Sequence, residues 1–500
     1  MSLFYYSSSA QMAKSTEQEL GLEGKAWHLA EWGLGLVLKI IAQLIFNIGL
    51  KLWRLLKYIL FGFIYKKIVY GNINGREIFD TLQDRDLQTI IIGKPGTGKT
   101  ALGASIAIQS ISNGTAGIVI DPHGNPFERK ETKKGLVVKI FERAWDVKRV
   151  VFLSITHQKQ RVIGFNPLFG IGSIDALNAL RDELMESIFH EVLDSDGFQV
   201  ANEAKFLLTS TIYALNCYRD WLKKFKKYNS EQIKSILFSH QITINDLALL
   251  KPNGRLIDLF ITLLGNTQSK YYRPDLLEEW QNIKTKKKFD AGLLGAIGRL
   301  EKLVATTQGE LFFESSGFNF IQERLRGKFV LCDTSGLNQF TRRCISEIVY
   351  VRVKRMHLDN VFWNQTEFMI DEAPDIELPN YKEILSQGRK FQLSLTCIFQ
   401  YMSQFEDTRT VQALRKAVGN KIIFTSEETE FDIPKDKLAR QPKRECTILN
   451  SKGRFEGVKT GELPKIRRQV QFTERGVAKK ELQARMMAKK LDIYSYFMKV

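Results

Sequence analysis

Short runs of apolar residues, several of them ending in a polar side chain, recur through much of the chain. Runs without polar alternation are typical of strands that are buried on both faces, as in a parallel sheet. The predicted strands are 87–92, 117–121, 150–154, 329–333, 368–372, 394–400 and 421–425. A helix, Ala101–Gln109, follows the first of them. This alternation predicts an α/β fold with a mostly parallel sheet.

The stretch from Phe165 to about Ala305 has a different pattern. It lacks strand alternation and shows helical periodicity, for example in Leu177–Leu193 and Ala201–Lys224. The chain has 500 residues, which is too long for one compact core, so at least two folded units are expected.

The most apolar segment lies near the amino terminus, in residues 32–65. Residues 32–50 carry one charge, Lys39, and are long enough to span a bilayer, whereas 55–65 is too short. Polar residues recur here at the helical period and form one stripe. They are Lys39, Gln43, Asn47, Lys51, Arg54 and Lys57. Membrane attachment is expected; a spanning helix, a helix in the headgroup plane and a helix packed on protein all stay open.

The net charge of the chain predicts an anionic partner. The chain has 73 Lys and Arg against 55 Asp and Glu, a formal net charge of +18, which favours nucleic acid or a membrane surface. Charge alone does not separate these two, and a merely basic protein also stays open. The five cysteines lack the spacing of zinc sites or disulfide frameworks, so a reducing cytoplasm is expected.

The loop after the first strand, GKPGTGKT, is a complete phosphate-binding loop. Its glycines let backbone N–H groups turn toward phosphates, Lys99 supplies a cation to the β- and γ-phosphates, and Thr100 offers a hydroxyl to Mg²⁺. A strand before it and a helix after it are the context that the motif requires. ATP and Mg²⁺ are therefore the predicted ligands. The predicted nucleotide-binding residues are Gly93, Lys94, Pro95, Gly96, Thr97, Gly98, Lys99, Thr100 and Ala101.

The segment FMIDE ends in two carboxylates with different predicted roles. Asp371 would hold Mg²⁺ through water, and Glu372 would orient and deprotonate the attacking water. A third polar residue, Gln400, ends the strand SLTCIFQ and could sense the γ-phosphate, although a surface glutamine without a role is an equal alternative.

Four segments resemble the FtsK/HerA superfamily of DNA-pumping ATPases, and within it the type IV coupling-protein (TraG/TraD-like) branch. They are GKPGTGKT, IVIDPHGN at 118–125, FNPL at 165–168 and the segment 369–404. The resemblance implies a RecA-like P-loop ATPase fold with an inserted all-α domain. It also implies that Asp121 and His123 lie beside the nucleotide and that Gln400 acts as the sensor. Coupling proteins usually carry two clear spanning helices, whereas the second apolar run here is short and basic.

These patterns predict five segments. They are a membrane-associated helical segment (1–70), the first part of the ATPase core (71–168), an all-α insertion (169–310), the second part of the core (311–470) and a basic helical tail (471–500). The insertion carries two lysine clusters, which either contact phosphates or form a solvated surface. The clusters are Lys223, Lys224, Lys226 and Lys227, and Lys284, Lys286, Lys287 and Lys288.

A ring of such ATPases uses an arginine that reaches the neighbouring subunit and stabilises transition-state charge. Arg389, Arg342 and Arg343 are the candidates. Arg389 is the first choice because it follows Gly388 in the family-like segment, and a plain surface role stays open.

The predicted function is a membrane-associated, hexameric, ATP-driven DNA translocase at the cytoplasmic face, with other secretion or DNA-transfer components as further partners. No base-reading motif is evident in the sequence, so DNA contacts should be directed to the backbone with little sequence preference. Two alternatives stay open. One is a cytoplasmic HerA-like helicase or viral DNA-packaging ATPase, and the other is a protein-secretion adaptor with a regulatory ATPase.

Overall fold

A computed structural model of the chain describes residues 67–81, 88–155, 161–169, 172–193, 198–314, 318, 323, 326–358, 365–376, 385, 392–470 and 477–498. They belong to a unit that begins at Lys67. The apolar segment 32–65 lies outside the described residues. Within the described ranges, no helix combines the length and the apolar character that crossing a membrane requires.

Strands make up the centre of the structure. They are β1 (Lys67–Ile73), β2 (Arg76–Thr81), β3 (Thr89–Ile92), β4 (Ala116–Asp121), β5 (Val150–Ser154), β6 (Arg161–Val162), β7 (Phe329–Asp333), β8 (Thr366–Asp371), β9 (Leu393–Phe399), β10 (Asn420–Ile423), β11 (Glu445–Asn450), β12 (Gly453–Lys459) and β13 (Val477–Ala478). All except β6 and β13, which pair with each other, form one eleven-stranded sheet.

The sheet order is β2-β1-β12-β11-β10-β3-β9-β8-β4-β7-β5. From β10 to β5 all neighbouring strands are parallel. The seven predicted strands correspond to β3, β4, β5, β7, β8, β9 and β10, with ends that differ by at most two residues. The predicted α/β class with a mostly parallel sheet is therefore confirmed.

An antiparallel extension on one side of the sheet was not predicted. It consists of β11, β12, β1 and β2. The turn between β1 and β2 is Asn74-Gly75, and both residues have positive φ, 49° and 83°. This dipeptide between extended segments is a strong hairpin signal that could have revealed the first two strands. Since β1 begins at Lys67, residues 67–70 belong to the sheet.

Helices cover both faces of the sheet. They are α1 (Lys99–Ser112), α2 (Leu136–Arg143), α3 (Ile174–Leu193), α4 (Phe198–Lys224), α5 (Ser230–Ser239), α6 (Ile244–Ala248), α7 (Arg255–Leu264), α8 (Pro274–Lys286), α9 (Ala291–Leu303), α10 (Thr307–Glu314), α11 (Gln339–Leu358), α12 (Ala373–Ile376), α13 (Thr408–Ala417), α14 (Lys435–Ala439) and α15 (Lys479–Met498). Helices α3 to α10 lie between β6 and β7 in the chain.

Alternate residues of the central strands pack into two different hydrophobic cores. Ile91 of β3 packs in the core that includes Leu102 of α1. Ile90 and Ile92 belong to the other core, which continues without a break into the helices between β6 and β7. There the buried Trp280 stacks on Phe260, with ring centroids 4.7 Å apart. The helical region and one face of the sheet thus share a single core.

The FNPL segment makes the turn between the sheet and this helical region. The Asn166 side-chain amide donates to Gln241 Oε1 (2.9 Å) and to the Ile242 carbonyl (3.0 Å). Its side-chain oxygen accepts from the Leu168 backbone N–H (3.1 Å). Asn166 is buried, and these bonds satisfy its amide where water is excluded.

The basic helix at the end of the chain is fastened to the helical region by a buried ion network. Lys489 Nζ of α15 lies 2.8 Å from Asp246 Oδ2 and 2.8 Å from Glu314 Oε1. Thr243 Oγ1 donates to Glu314 (3.0 Å). Burial opposes the charged form of Lys489, but the contacts with both carboxylates outweigh burial and hold its pKa above the ordinary value.

Lys489→Met is expected to destabilise the protein by about 3–5 kcal/mol, because it leaves two buried carboxylates without their cation. Lys490→Met is the matched control. Lys490 is exposed and lies 3.5 Å from Glu310, so its loss should cost less than about 1 kcal/mol. The measurement is the free energy of unfolding from urea denaturation. Equal effects of the two variants would show that the network does not stabilise the docked helix.

Candidate active site

The phosphate-binding loop has a backbone that only glycine adopts easily at three positions. Gly93, Gly96 and Gly98 have φ of 155°, 77° and 122°. A Cβ on Gly93 would lie 2.5 Å from the Phe424 Cβ atom, so a larger residue there would displace Phe424, which directly follows β10. The loop leads directly into α1, where the Leu102 N–H donates to the Gly98 carbonyl (2.9 Å).

Residues that follow β10 hold this loop from one side. The Lys94 N–H donates to the Thr425 carbonyl (2.8 Å), and the Arg444 N–H donates to the Thr97 carbonyl (2.9 Å). The Lys94 ammonium forms an ion pair with Glu427. The motif alone did not identify these contacts, because Thr425, Glu427 and Arg444 are far from the loop in sequence.

Lys99 is buried at the first position of α1. Its ammonium donates to the Gly93 carbonyl and to the Lys94 carbonyl, the latter at 3.0 Å. Burial lowers the pKa of Lys99, and the nearby carboxylates of Glu372 and Asp371 oppose that shift. The structure thus brings the predicted lysine together with the two predicted carboxylates.

The two carboxylates lie at the end of β8. Asp371 is buried, and burial, with Asp121 and Glu372 nearby, raises its pKa well above the ordinary value. Glu372 is partly buried and has φ of 48°, a left-handed conformation that is uncommon for a non-glycine residue and is often found at functional sites. Its carbonyl accepts from the Asp375 N–H (3.0 Å), which closes the turn into α12.

Asp121 lies at the end of β4 and is completely buried. Its carboxylate accepts from the His123 N–H (2.7 Å) and the Val137 N–H (2.9 Å), so it ties the turn after β4 to α2. Burial raises the pKa of Asp121 to about 6, against these hydrogen bonds. His123 is exposed. A place for either residue beside the nucleotide stays a prediction.

Gln400 follows β9 and is partly buried. The Gly93 N–H donates to the Phe399 carbonyl (3.3 Å), which places Gln400 next to the phosphate-binding loop. The Gln404 side chain accepts from both the Gln400 N–H and the Tyr401 N–H, each at 3.0 Å. Gln404 therefore fixes the turn that presents Gln400, a role that sequence reasoning missed.

Of the candidate trans-acting arginines, Arg389 lies outside the described residues. Arg342 Nη1 lies 3.4 Å from Asp375, and Arg343 Nε lies 3.0 Å from Glu347. Both of these arginines are thus engaged by carboxylates of their own chain, so Arg389 stays the preferred candidate.

The arrangement fits a nucleotide with a divalent cation. Among the residues that the structure describes, no group of three carboxylate, histidine or cysteine side chains could hold a metal ion by itself. Mg²⁺ is commonly held by one or two protein oxygens together with substrate phosphates. Thr100 and Asp371 supply hard oxygen donors of that kind. The glycine loop, the buried lysine and the paired carboxylates are the parts of a P-loop ATPase site.

Comparison with known proteins gives structural neighbours only, since no family model and no curated protein matches the chain. The unbound form of the bacterial conjugative coupling protein TrwBdeltaN70 is 12% identical, with a TM-score of 0.47 over 79% of this chain and 90% of that chain. TrwB in complex with ADP and Mg²⁺ is also 12% identical, with a TM-score of 0.47 over 79% and 89%.

VirB4 of Thermoanaerobacter pseudethanolicus is 14% identical, with a TM-score of 0.47 over 79% of this chain and 97% of that chain. Conjugative coupling proteins are the branch that the sequence motifs resemble. With TM-scores below 0.5, these likenesses carry no further weight, and the interpretation of the site depends on its own residues.

Glu430 is a buried carboxylate in the loop that leads away from β10. Its Oε1 accepts from the Met402 N–H (3.5 Å), and its Oε2 has no hydrogen-bond partner among the described residues. Burial raises the pKa of Glu430 from 4.5 to about 7. A raised carboxylate pKa means that the folded state binds more protons than the unfolded state between those values, so stability falls as the pH rises through them.

Glu430→Gln should abolish this loss of stability at high pH, because the amide oxygen still accepts the hydrogen bond from the Met402 N–H and carries no charge. We expect it to raise the free energy of unfolding by on the order of 3 kcal/mol above pH 7 and by little near pH 4.5. Urea denaturation at both pH values measures this. The exposed control, Glu406→Gln, should have the same small effect at both. A Glu430→Gln effect independent of pH would contradict the prediction.

Proposed function

We propose that this chain is an ATP-driven DNA translocase of the type IV secretion and conjugation kind, which acts at the cytoplasmic face of the cell membrane as a homo-hexamer. One observation carries the ATPase part of the proposal. The buried Lys99 ammonium lies within electrostatic range of the Asp371 and Glu372 carboxylates, at the edge where β3 and β8 end. Parallel α/β sheets bind ligands at that edge.

Each residue then has a defined task. Lys99 compensates charge that develops on the β- and γ-phosphates. Glu372 accepts the proton of the attacking water, since it is partly buried beside Lys99 and its backbone is held by the turn into α12. Thr100 and Asp371 would hold Mg²⁺, which neutralises phosphate charge when it is bound. Gln400, presented by Gln404, contacts the γ-phosphate.

Net charge and two exposed lysine clusters support DNA as the substrate of movement. The clusters lie at opposite ends of α4. Lys223 to Lys227 extend from its last turn, whereas Lys286 to Lys288 lie near its start, because a Cβ on Gly292 would be 2.8 Å from Gln199. Since α4 has 27 residues, its two ends are about 40 Å apart. The two clusters are therefore separate candidate contacts for DNA.

ATP turnover of the purified protein, with and without single- and double-stranded DNA, tests this function. Deletion of residues 1–66 keeps β1 intact and permits the measurement without detergent. DNA-stimulated turnover that Lys99→Ala reduces below a tenth is the expected result, given the size of such electrostatic contributions. Turnover without DNA stimulation would favour the secretion adaptor, and undiminished turnover in Lys99→Ala would refute the site.

Glu372→Gln should bind ATP but fail to cleave it, because an amide keeps the shape of the carboxylate and cannot accept a proton. We expect turnover to fall by at least about a hundredfold while the dissociation constant for ATP changes little. The control is Glu301→Gln, the same change at an exposed carboxylate of α9, which should leave turnover unchanged. Normal hydrolysis by Glu372→Gln would place the base elsewhere.

DNA binding should weaken steeply with salt and show little sequence preference, because lysines release counterions from phosphates without reading base edges. Changing Lys286, Lys287 and Lys288 to Glu should reduce binding more than basal ATPase. The same changes in the cluster at Lys223–Lys227 reveal which end of α4 meets DNA. Equal losses of binding and ATPase would show that a cluster is structural.

A further inference from the structure

Arg444, in the turn just before β11, lies against the phosphate-binding loop. Its N–H donates to the Thr97 carbonyl (2.9 Å), and its own carbonyl accepts from the Thr460 N–H (2.9 Å) and Thr460 Oγ1 (3.0 Å). Its Cα and Cγ atoms lie 3.7 and 3.6 Å from the position that a Cβ on Gly98 would take. These hydrogen bonds hold its backbone against the loop. Its side chain begins next to Gly98, directly before α1.

The backbone of Arg444 would suit a smaller residue. Its φ is 66°, a left-handed conformation that glycine adopts without steric cost and that asparagine tolerates well. The side chain makes an ion pair with Glu462 at 3.3 Å, in which the two side chains are 49% and 90% exposed. Exposed ion pairs of this kind contribute little to the stability of the folded protein. Neither the turn nor the ion pair accounts for an arginine at this position.

The order of the strands gives the nucleotide a direction across the loop. Glu372 and Gln400 follow β8 and β9, on one side of β3, whereas β10 and β11 lie on the other side. The phosphate that is cleaved must lie near the base, Glu372. The α-phosphate therefore lies toward β10 and β11, the side on which Arg444 contacts the loop.

We propose that Arg444 is a nucleotide-binding residue whose guanidinium contacts the α-phosphate of ATP and ADP. The proposal rests on the proposed ATPase function. A guanidinium suits this contact, because its fork of N–H donors matches the oxygens of a phosphate. Lys99 serves the β- and γ-phosphates, so Arg444 is a separate cation that is available to the α-phosphate.

Arg444→Gly tests the proposal, since glycine relaxes the backbone while the guanidinium is lost. The full-length protein is titrated calorimetrically with ADP and with a non-hydrolysable ATP analogue. We expect both dissociation constants to rise by about tenfold or more, with an unfolding midpoint that is unchanged or higher. Arg444→Lys should recover part of the loss. The control Lys443→Ala removes a neighbouring exposed charge and should leave both constants unchanged.

Three outcomes would overturn the assignment while wild-type binding stays intact. They are unchanged constants in Arg444→Gly, a loss for the ATP analogue but not for ADP, and an equal loss in Glu462→Gln. The second outcome would move the contact to the γ-phosphate, and the third would show that the arginine acts only through its ion pair. Failure of the wild-type protein to bind either nucleotide would instead overturn the proposed function itself.

Discussion

The register of the parallel strands is the constraint on which the candidate site depends. Ile92 of β3 pairs with Phe399 of β9, and Ile398 pairs with Asp371 of β8. The residues that follow these strands are therefore brought to one edge, although they come from distant parts of the chain. The two hydrophobic cores contact alternate residues of these strands, so a slip of one residue would exchange the side chains that each core contacts. The chemistry is thus positioned by apolar packing that contains none of the reactive groups.

The buried charged groups at this edge depend on one another. Burial disfavours both the Lys99 ammonium and the Asp371 carboxylate, so it lowers the pKa of the first and raises the pKa of the second. Each group partly offsets the cost of the other, as expected for opposite charges in a medium of low polarity. Glu372 adds backbone strain at φ of 48°, which persists because the turn into α12 holds it. Replacing one of these charged residues alone consequently leaves the other buried without the opposite charge.

The sequence predicted what local patterns determine and missed what distant contacts determine. GKPGTGKT and FMIDE have the residue types and neighbours that their elements require, so the strands and α1 were predicted closely. The Asn74-Gly75 hairpin has a local signal of this kind as well. Arg444 had none, since its position depends on a hydrogen bond to Thr97. The basic tail predicted from composition also conceals Lys489, whose partners, Asp246 and Glu314, lie in other helices and cannot be identified from the sequence of α15.

The course of the chain after β12 connects the two parts of the molecule that these contacts define. Thr460 donates hydrogen bonds to the Arg444 carbonyl, and the Arg467 N–H donates to the Glu142 carbonyl of α2 (2.9 Å). Further along the chain, Lys489 holds α15 to the helical region. The two ends are held with different strength. Releasing α15 would leave buried carboxylates unpaired, whereas releasing Thr460 breaks hydrogen bonds to an exposed residue, which water can replace.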